Sequence, residues 1–153
     1  MRLTKNFELS EFLINSKGID LHPSDTILLN INYLVNITLQ PMRDFFNKPI
    51  VITSGYRDEN LNKLIGGAKY SSHLSGRAVD FHIIKDGISR MPLWTTAFKI
   101  YEYIPFTQLI IYPEEIRYHI ETDNENFKKE VLIKGVKEYI NVSRLFGEVI
   151  YER

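Results

Sequence analysis

The chain has 153 residues, 44% of them hydrophobic, which fits one domain (residues 1–153) built on a single core. Nineteen basic and nineteen acidic residues leave no net charge, so no polybasic footprint points to nucleic acid or to an anionic membrane surface. There is no cysteine, which excludes disulfides, a thiolate metal site and a cysteine nucleophile, and leaves histidines and carboxylates to hold any metal.

The amino terminus carries no apolar core of signal-peptide length, and no segment approaches the roughly 20 apolar residues of a bilayer span. The expectation is a protein made soluble in the cytoplasm, whose export would need another agent. Phe7, Leu9, Phe12 and Leu13 mark a short amphipathic helix with Ser10 as its cap, packed on the domain as a flap. Gly18 to Pro23 reads as a loop that leaves His22 at the surface. Ser24-Asp25 opens the main core helix, with Ile27, Leu28, Ile31, Leu34, Val35, Ile37 and Leu39 on it, which Pro41 kinks or ends before Met42 to Phe46 continue. Pro49 to Thr53 is a β-branched run expected to be a buried strand. Asp58 caps a helix through Ile65, stopped by Gly66-Gly67.

After Gly76, a period of two places Val79, Phe81 and Ile83 on one strand face and Ala78, Asp80, His82 and Ile84 on the other. Met91 to Ile104 has the spacing of a second packing helix. Gln108–Tyr112 and Ile116–Glu121 read as paired strands around the turn Pro113-Glu114-Glu115, with Arg117, His119 and Glu121 on one polar face. Glu130 to Lys134 is expected to add a further antiparallel strand, and Tyr139 to Arg153 has no clear pattern. The fold class is α+β: a small, mainly antiparallel sheet with flanking helices covering one side.

His73 and Asp80, separated by a glycine-containing turn, are half of a divalent-metal site, and His119 stands where a third ligand would complete it. Two histidines, one carboxylate and an open fourth position for water are the pattern of catalytic zinc. A surface loop with a hydrogen-bonded histidine fits the same spacing, and composition and periodicity do not choose between the two. His82 shares a strand face with Asp80 and is read as a supporting or surface residue, or as an extra ligand.

Several blocks in order carry more information than this pair. Ser54-Gly55-Tyr56-Arg57, Leu61-Asn62, Ile65-Gly66-Gly67-Ala68, Ser71 to Asp80 and Tyr118-His119-Ile120 resemble the consecutive motifs of the M15 zinc D-Ala-D-Ala carboxypeptidases and phage peptidoglycan endopeptidases. The resemblance extends over Phe7 to Phe12 and Leu39 to Arg43, from residue 7 to about 134. It implies a hedgehog/DD-peptidase-like fold with one Zn2+ per chain on His73, Asp80 and His119. It implies that Arg57 faces the substrate and its oxyanion, and that Ser71 binds substrate or orients His73. A salt bridge to Asp58 or Glu59 is the plain structural reading of Arg57, and capping of the turn backbone is that of Ser71.

The chain departs from the family at the general base. Relatives place an acid three residues before the last histidine ligand, where this chain has Ile116, so the base falls to Glu115 at the end of the turn or to Glu121 on the face of His119. Tyr118 stands where the family usually has Trp. The implied function is zinc-dependent hydrolysis of a peptide bond in peptidoglycan stem peptides or cross-links. The lack of a signal peptide and of a wall-binding domain suits a phage lysin released to the cell wall, or a virion-associated hydrolase among virion proteins. The alternative is a non-catalytic zinc-binding module of the same fold, as the hedgehog signalling domain exemplifies, and Ile116 is the feature that favours it.

Overall fold

The run expected to be one core helix folds as three helical segments in direct succession. The computed structural model describes the backbone of residues 1–151 and the side chains of residues 1–148. Helix α1 (Asp25–Leu34) begins at Ser24, whose hydroxyl accepts from the Ile27 amide. A π-helical turn, Val35–Leu39, leads into α2 (Gln40–Phe46), which has Pro41 in its first turn. Proline supplies no N–H for the preceding turn and its ring crowds the carbonyl four residues back, and the widened π turn relieves that crowding. Leu34, Val35, Leu39 and Met42 are all buried along this rod.

Among the described residues, seven strands form one sheet: β1 (Ile50–Ser54), β2 (Ala78–Asp86), β3 (Ser89–Arg90), β4 (Gln108–Tyr112), β5 (Arg117–Glu121), β6 (Glu130–Lys134) and β7 (Tyr139–Asn141). Their order is β1-β2-β5-β4-β6-β7, with β3 paired to β2. The α+β class holds, and the sheet is mainly antiparallel. One pairing corrects the expectation for residues 130–134: β6 is antiparallel to β7 but parallel to β4. Both edges of β5 are already taken by β2 and β4, so the strand that reverses direction after β5 joins the free edge of the neighbouring β4, where it runs the same way as that strand.

The alternation read from the sequence sorts the two sheet faces. Val79, Phe81 and Ile83 of β2, Tyr118 and Ile120 of β5, and Leu109 and Ile111 of β4 join the core with Leu34, Leu39 and Met42. Helix α4 (Leu93–Tyr103) adds Ala97 and Ile100 to it. Tyr118 points into this core and donates its hydroxyl to the Leu93 carbonyl at 2.8 Å, which ties β5 to α4. The unassigned tail supplies β7 and helix α5 (Ser143–Tyr151), whose Phe146 stacks on Phe98 with ring centroids 4.2 Å apart. Residues 152 and 153 lie outside the described residues.

Two short 3-10 turns complete the frame. Leu9–Phe12 is capped by Glu8, in a reciprocal box with Glu11, so Ser10 lies inside the turn and is not its cap. Phe7 and Phe12 are buried, and this segment is part of the core. The second turn, Ser72–Ser75, follows helix α3 (Glu59–Leu64), which is capped as expected by Asp58 through the Leu61 amide at 2.8 Å. Among the described residues, no helix is long and apolar enough to cross a membrane.

Candidate metal centre

The β2–β5 ladder builds two thirds of the centre by register alone. Asp80 pairs directly with His119, and both side chains leave the sheet on the face away from the core. His73 arrives from the 3-10 turn. Its position depends on several anchors: the Arg57 amide donates to its carbonyl at 3.1 Å, the Asn30 side chain donates to the Ser75 carbonyl at 2.8 Å, and the turn ends at Gly76 with φ 71°. That left-handed ending, packed against Ile27 and Ile31, suits glycine.

The three side chains offer ligand atoms that all lie within 4.8 Å of one another. His73 Nε2 is 3.2 Å from His119 Nδ1, His119 Nδ1 is 3.0 Å from Asp80 Oδ1, and His73 Nε2 is 3.4 Å from Asp80 Oδ1. A tetrahedral zinc with bonds of about 2.0–2.1 Å separates its donor atoms by about 3.3 Å, so the spacing suits that ion. The tautomer suits it too. His73 Nδ1 is 2.7 Å from the Gly55 carbonyl, which only accepts, so Nδ1 carries the proton and Nε2 turns a lone pair toward the cluster.

The electrostatics favour the same state. Burial, opposed by Asp80, lowers the proton affinity of His73 and keeps the imidazole neutral. Burial works against charge on Asp80, but the two imidazoles beside it, His119 first, outweigh burial and hold the carboxyl well below the usual carboxylate range. Arg57 Nη2 lies 3.4 Å from Asp80 Oδ2, the oxygen turned away from the histidines. Its other donors go to Ser54 Oγ at 3.1 and 3.2 Å and to Asn62 Oδ1 at 3.4 Å. The carboxylate partner of Arg57 is therefore Asp80 of the candidate cluster, and among the described residues it makes no salt bridge to Asp58 or Glu59.

The remaining expected residues divide between two depressions. A cleft of about 560 Å³ opens over the ligands and is lined also by Arg57, Ser71, Gln108, Tyr112, Glu121 and Tyr139. Ser71 Oγ accepts from the His73 amide at 3.3 Å, so it caps the turn that carries the ligand while also facing the cleft. Glu115 lies elsewhere: its carboxylate is bound by Arg117 Nε, and it lines a neighbouring depression with Thr53, His82, Arg90 and Arg117. Ile116, in the place of the family's acid, sits in the turn at φ 48° and is not among the residues lining the cleft. His82 belongs to the neighbouring depression and not to the ligand cluster. His22 is at the surface, 3.1 Å from Asp20.

Tyr112, Tyr139 and Gln108 were not singled out from the sequence. Tyr112 was legible in principle, since the period of two in Gln108–Tyr112 puts 108, 110 and 112 on one face. Its ring carries the Arg117 guanidinium 3.8 Å from the centroid, and burial, with Tyr139 beside it, pushes its hydroxyl above the usual tyrosine range. Tyr139 had no such signal, because its strand is three residues long.

Residues 5–106 match a family model described as Peptidase M15, a span that holds His73 and Asp80 and ends before His119. Comparison with curated proteins returned no match.

Proposed function

The chain belongs to the peptidase M15 family, and on that premise we propose that it hydrolyses a peptide bond in peptidoglycan stem peptides or cross-links. Membership points to a zinc metallopeptidase, and the observation that carries the reading is the convergence of His73, Asp80 and His119 at zinc-compatible spacing on the floor of an open cleft. Zinc held by these three residues supplies a Lewis acid that polarises the scissile carbonyl and makes water easier to deprotonate.

The protein's own groups do the rest. Glu121 is on the strand face of His119 and lines the cleft, so it takes a proton from the attacking water and returns it to the amine nitrogen as the C–N bond breaks. Glu115 is the competing base, but it is occupied by Arg117 outside the cleft. Arg57 keeps its fixed charge beside the ligands and stabilises the negative charge that develops on the carbonyl oxygen. Ser71 orients His73 through the turn backbone. The site of action is the bacterial cell wall, reached by release as a phage lysin or by delivery in a particle.

The test is release of amines from purified cell wall, with and without chelator. The expected result is turnover that chelation abolishes and added zinc restores. Glu121→Gln is expected to lower kcat by about 100-fold or more at full zinc occupancy, and a larger loss in Glu115→Gln would move the base to the turn. Zinc bound at one per chain with no turnover would make the protein a non-catalytic module.

A further inference from the structure

The depression beside the ligands, of about 410 Å³, is walled by Thr53, His82, Arg90, Glu115 and Arg117. Arg117 is its boundary with the metal centre: Nη1 lies 4.0 Å from Asp80 Oδ1, the guanidinium rests on the Tyr112 ring, and Nε donates to the Glu115 carboxylate. Arg90 faces it from β3. Its Nη1 donates to the main-chain carbonyls of Glu115 and Ile116, and among the described residues it is paired with no carboxylate. Arg117 thus shares the carboxylates of Glu115 and, more distantly, Asp80, while Arg90 has neither, and Glu115 sits on an exposed turn with 57% of its side chain accessible. Nearby, the enclosed Nδ1 of His82 has no hydrogen-bond partner.

The Glu115 end of its pair with Arg117 is open to solvent, which screens the pair, so an incoming anion displaces the Glu115 carboxylate readily. The Arg117 guanidinium, held over the Tyr112 ring, offers a planar fork that suits a carboxylate. The geometry points to a substrate-carboxylate subsite: the depression receives one carboxylate of the bound peptide between Arg90 and Arg117, and Glu115 occupies that place until the peptide arrives. The inference deepens the peptidase reading and rests on it, since it names an acidic peptide as the preferred substrate of the same centre. The carboxylate comes either from an acidic side chain or from the peptide's own terminus.

Equilibrium binding to the zinc-loaded protein tests this without needing turnover. The probes are a tetrapeptide with one glutamyl side chain and a free carboxyl terminus, and two versions in which each carboxylate in turn is an amide. In the wild type, one amidation is expected to weaken binding about tenfold, and its position identifies the source. Arg90→Gln is expected to reduce that discrimination to less than about twofold, Arg90→Lys to restore part of it, and Glu115→Gln to bind the acidic peptide about tenfold tighter by removing its competitor. Equal binding of all three probes, or full discrimination retained in Arg90→Gln, would overturn the subsite. Discrimination that is intact in a protein without cell-wall turnover would leave the subsite standing and remove the peptidase reading.

Discussion

The β2–β5 ladder and the 3-10 turn at residues 72–75 each deliver ligands to one point, by opposite means. The ladder places Asp80 and His119 through strand register, which the buried residues Val79, Phe81, Tyr118 and Ile120 on the other face hold in place. A one-residue slip would turn that apolar set to solvent, so the register is strongly specified. The turn has no such enforcement. His73 is positioned by bonds to distant segments, the Gly55 carbonyl at 2.7 Å and the Arg57 amide at 3.1 Å among them. The two candidate ligands brought by the sheet are robustly placed, and the one brought by the turn depends on its anchors.

The comparison breaks most completely when a ligand is removed. His73→Ala and His119→Ala are each expected to reduce bound zinc from one per chain to none, whereas His82→Ala retains most of it. Metal analysis of the three purified variants checks this, and zinc loss confined to the His82 variant would overturn the ligand set. The next largest effect separates stability from metal affinity. Phe81→Ala empties the core face of the ladder and is expected to cost about 3–5 kcal/mol in denaturant unfolding, while the fraction that stays folded binds zinc normally. Gly55→Ala is expected to cost about 1–3 kcal/mol, because its Cβ would stand 2.7 Å from Phe12 Cα, and also to weaken zinc, because the Gly55 carbonyl orients His73.

Acid sharpens the same contrast. His73 in the folded chain takes a proton less readily than its ordinary value of 6.5, so the unfolded chain binds a proton there that the folded chain refuses. The stability it contributes is present above pH 6.5 and is lost as pH falls below it. Asp80 is shifted down from 3.8, so its contribution is present above that value and lost only at lower pH. Unfolding of the chelated protein is therefore expected to become easier as pH falls from 7 to 5, and His73→Gln is expected to make that dependence shallower. The smallest effect is that of Ser71→Ala, about 1 kcal/mol for loss of a cap, with a modest drop in zinc affinity and an unchanged fold.

The same contrast explains what was legible in the sequence. The alternation around Asp80 and His119 is local, and it put both residues on the strand face away from the core, where the structure has them. His73 stood out only as a histidine across a glycine-containing turn from Asp80, and the family's motif blocks strengthened that reading, because a turn's long-range anchors leave no periodic trace. Glu115 and Glu121 were indistinguishable by spacing. Only the fold shows that one lines the ligand cleft while the other is held by Arg117. The direction of β6 was also hidden, since it follows from which sheet edges are already occupied. Ser10 was read as a cap although Glu8 and Glu11 were already spaced for a reciprocal one.

The Phe12 carbonyl accepts from the Tyr56 amide at 2.8 Å, one residue from the Gly55 carbonyl that holds His73. Through that junction, zinc bound as proposed above is expected to tighten the grip on the amino-terminal segment by the same free energy that peeling the segment away subtracts from zinc affinity. Limited proteolysis near residue 12 then becomes a gauge of metal occupancy, and chelation makes that end of the chain easier to cut.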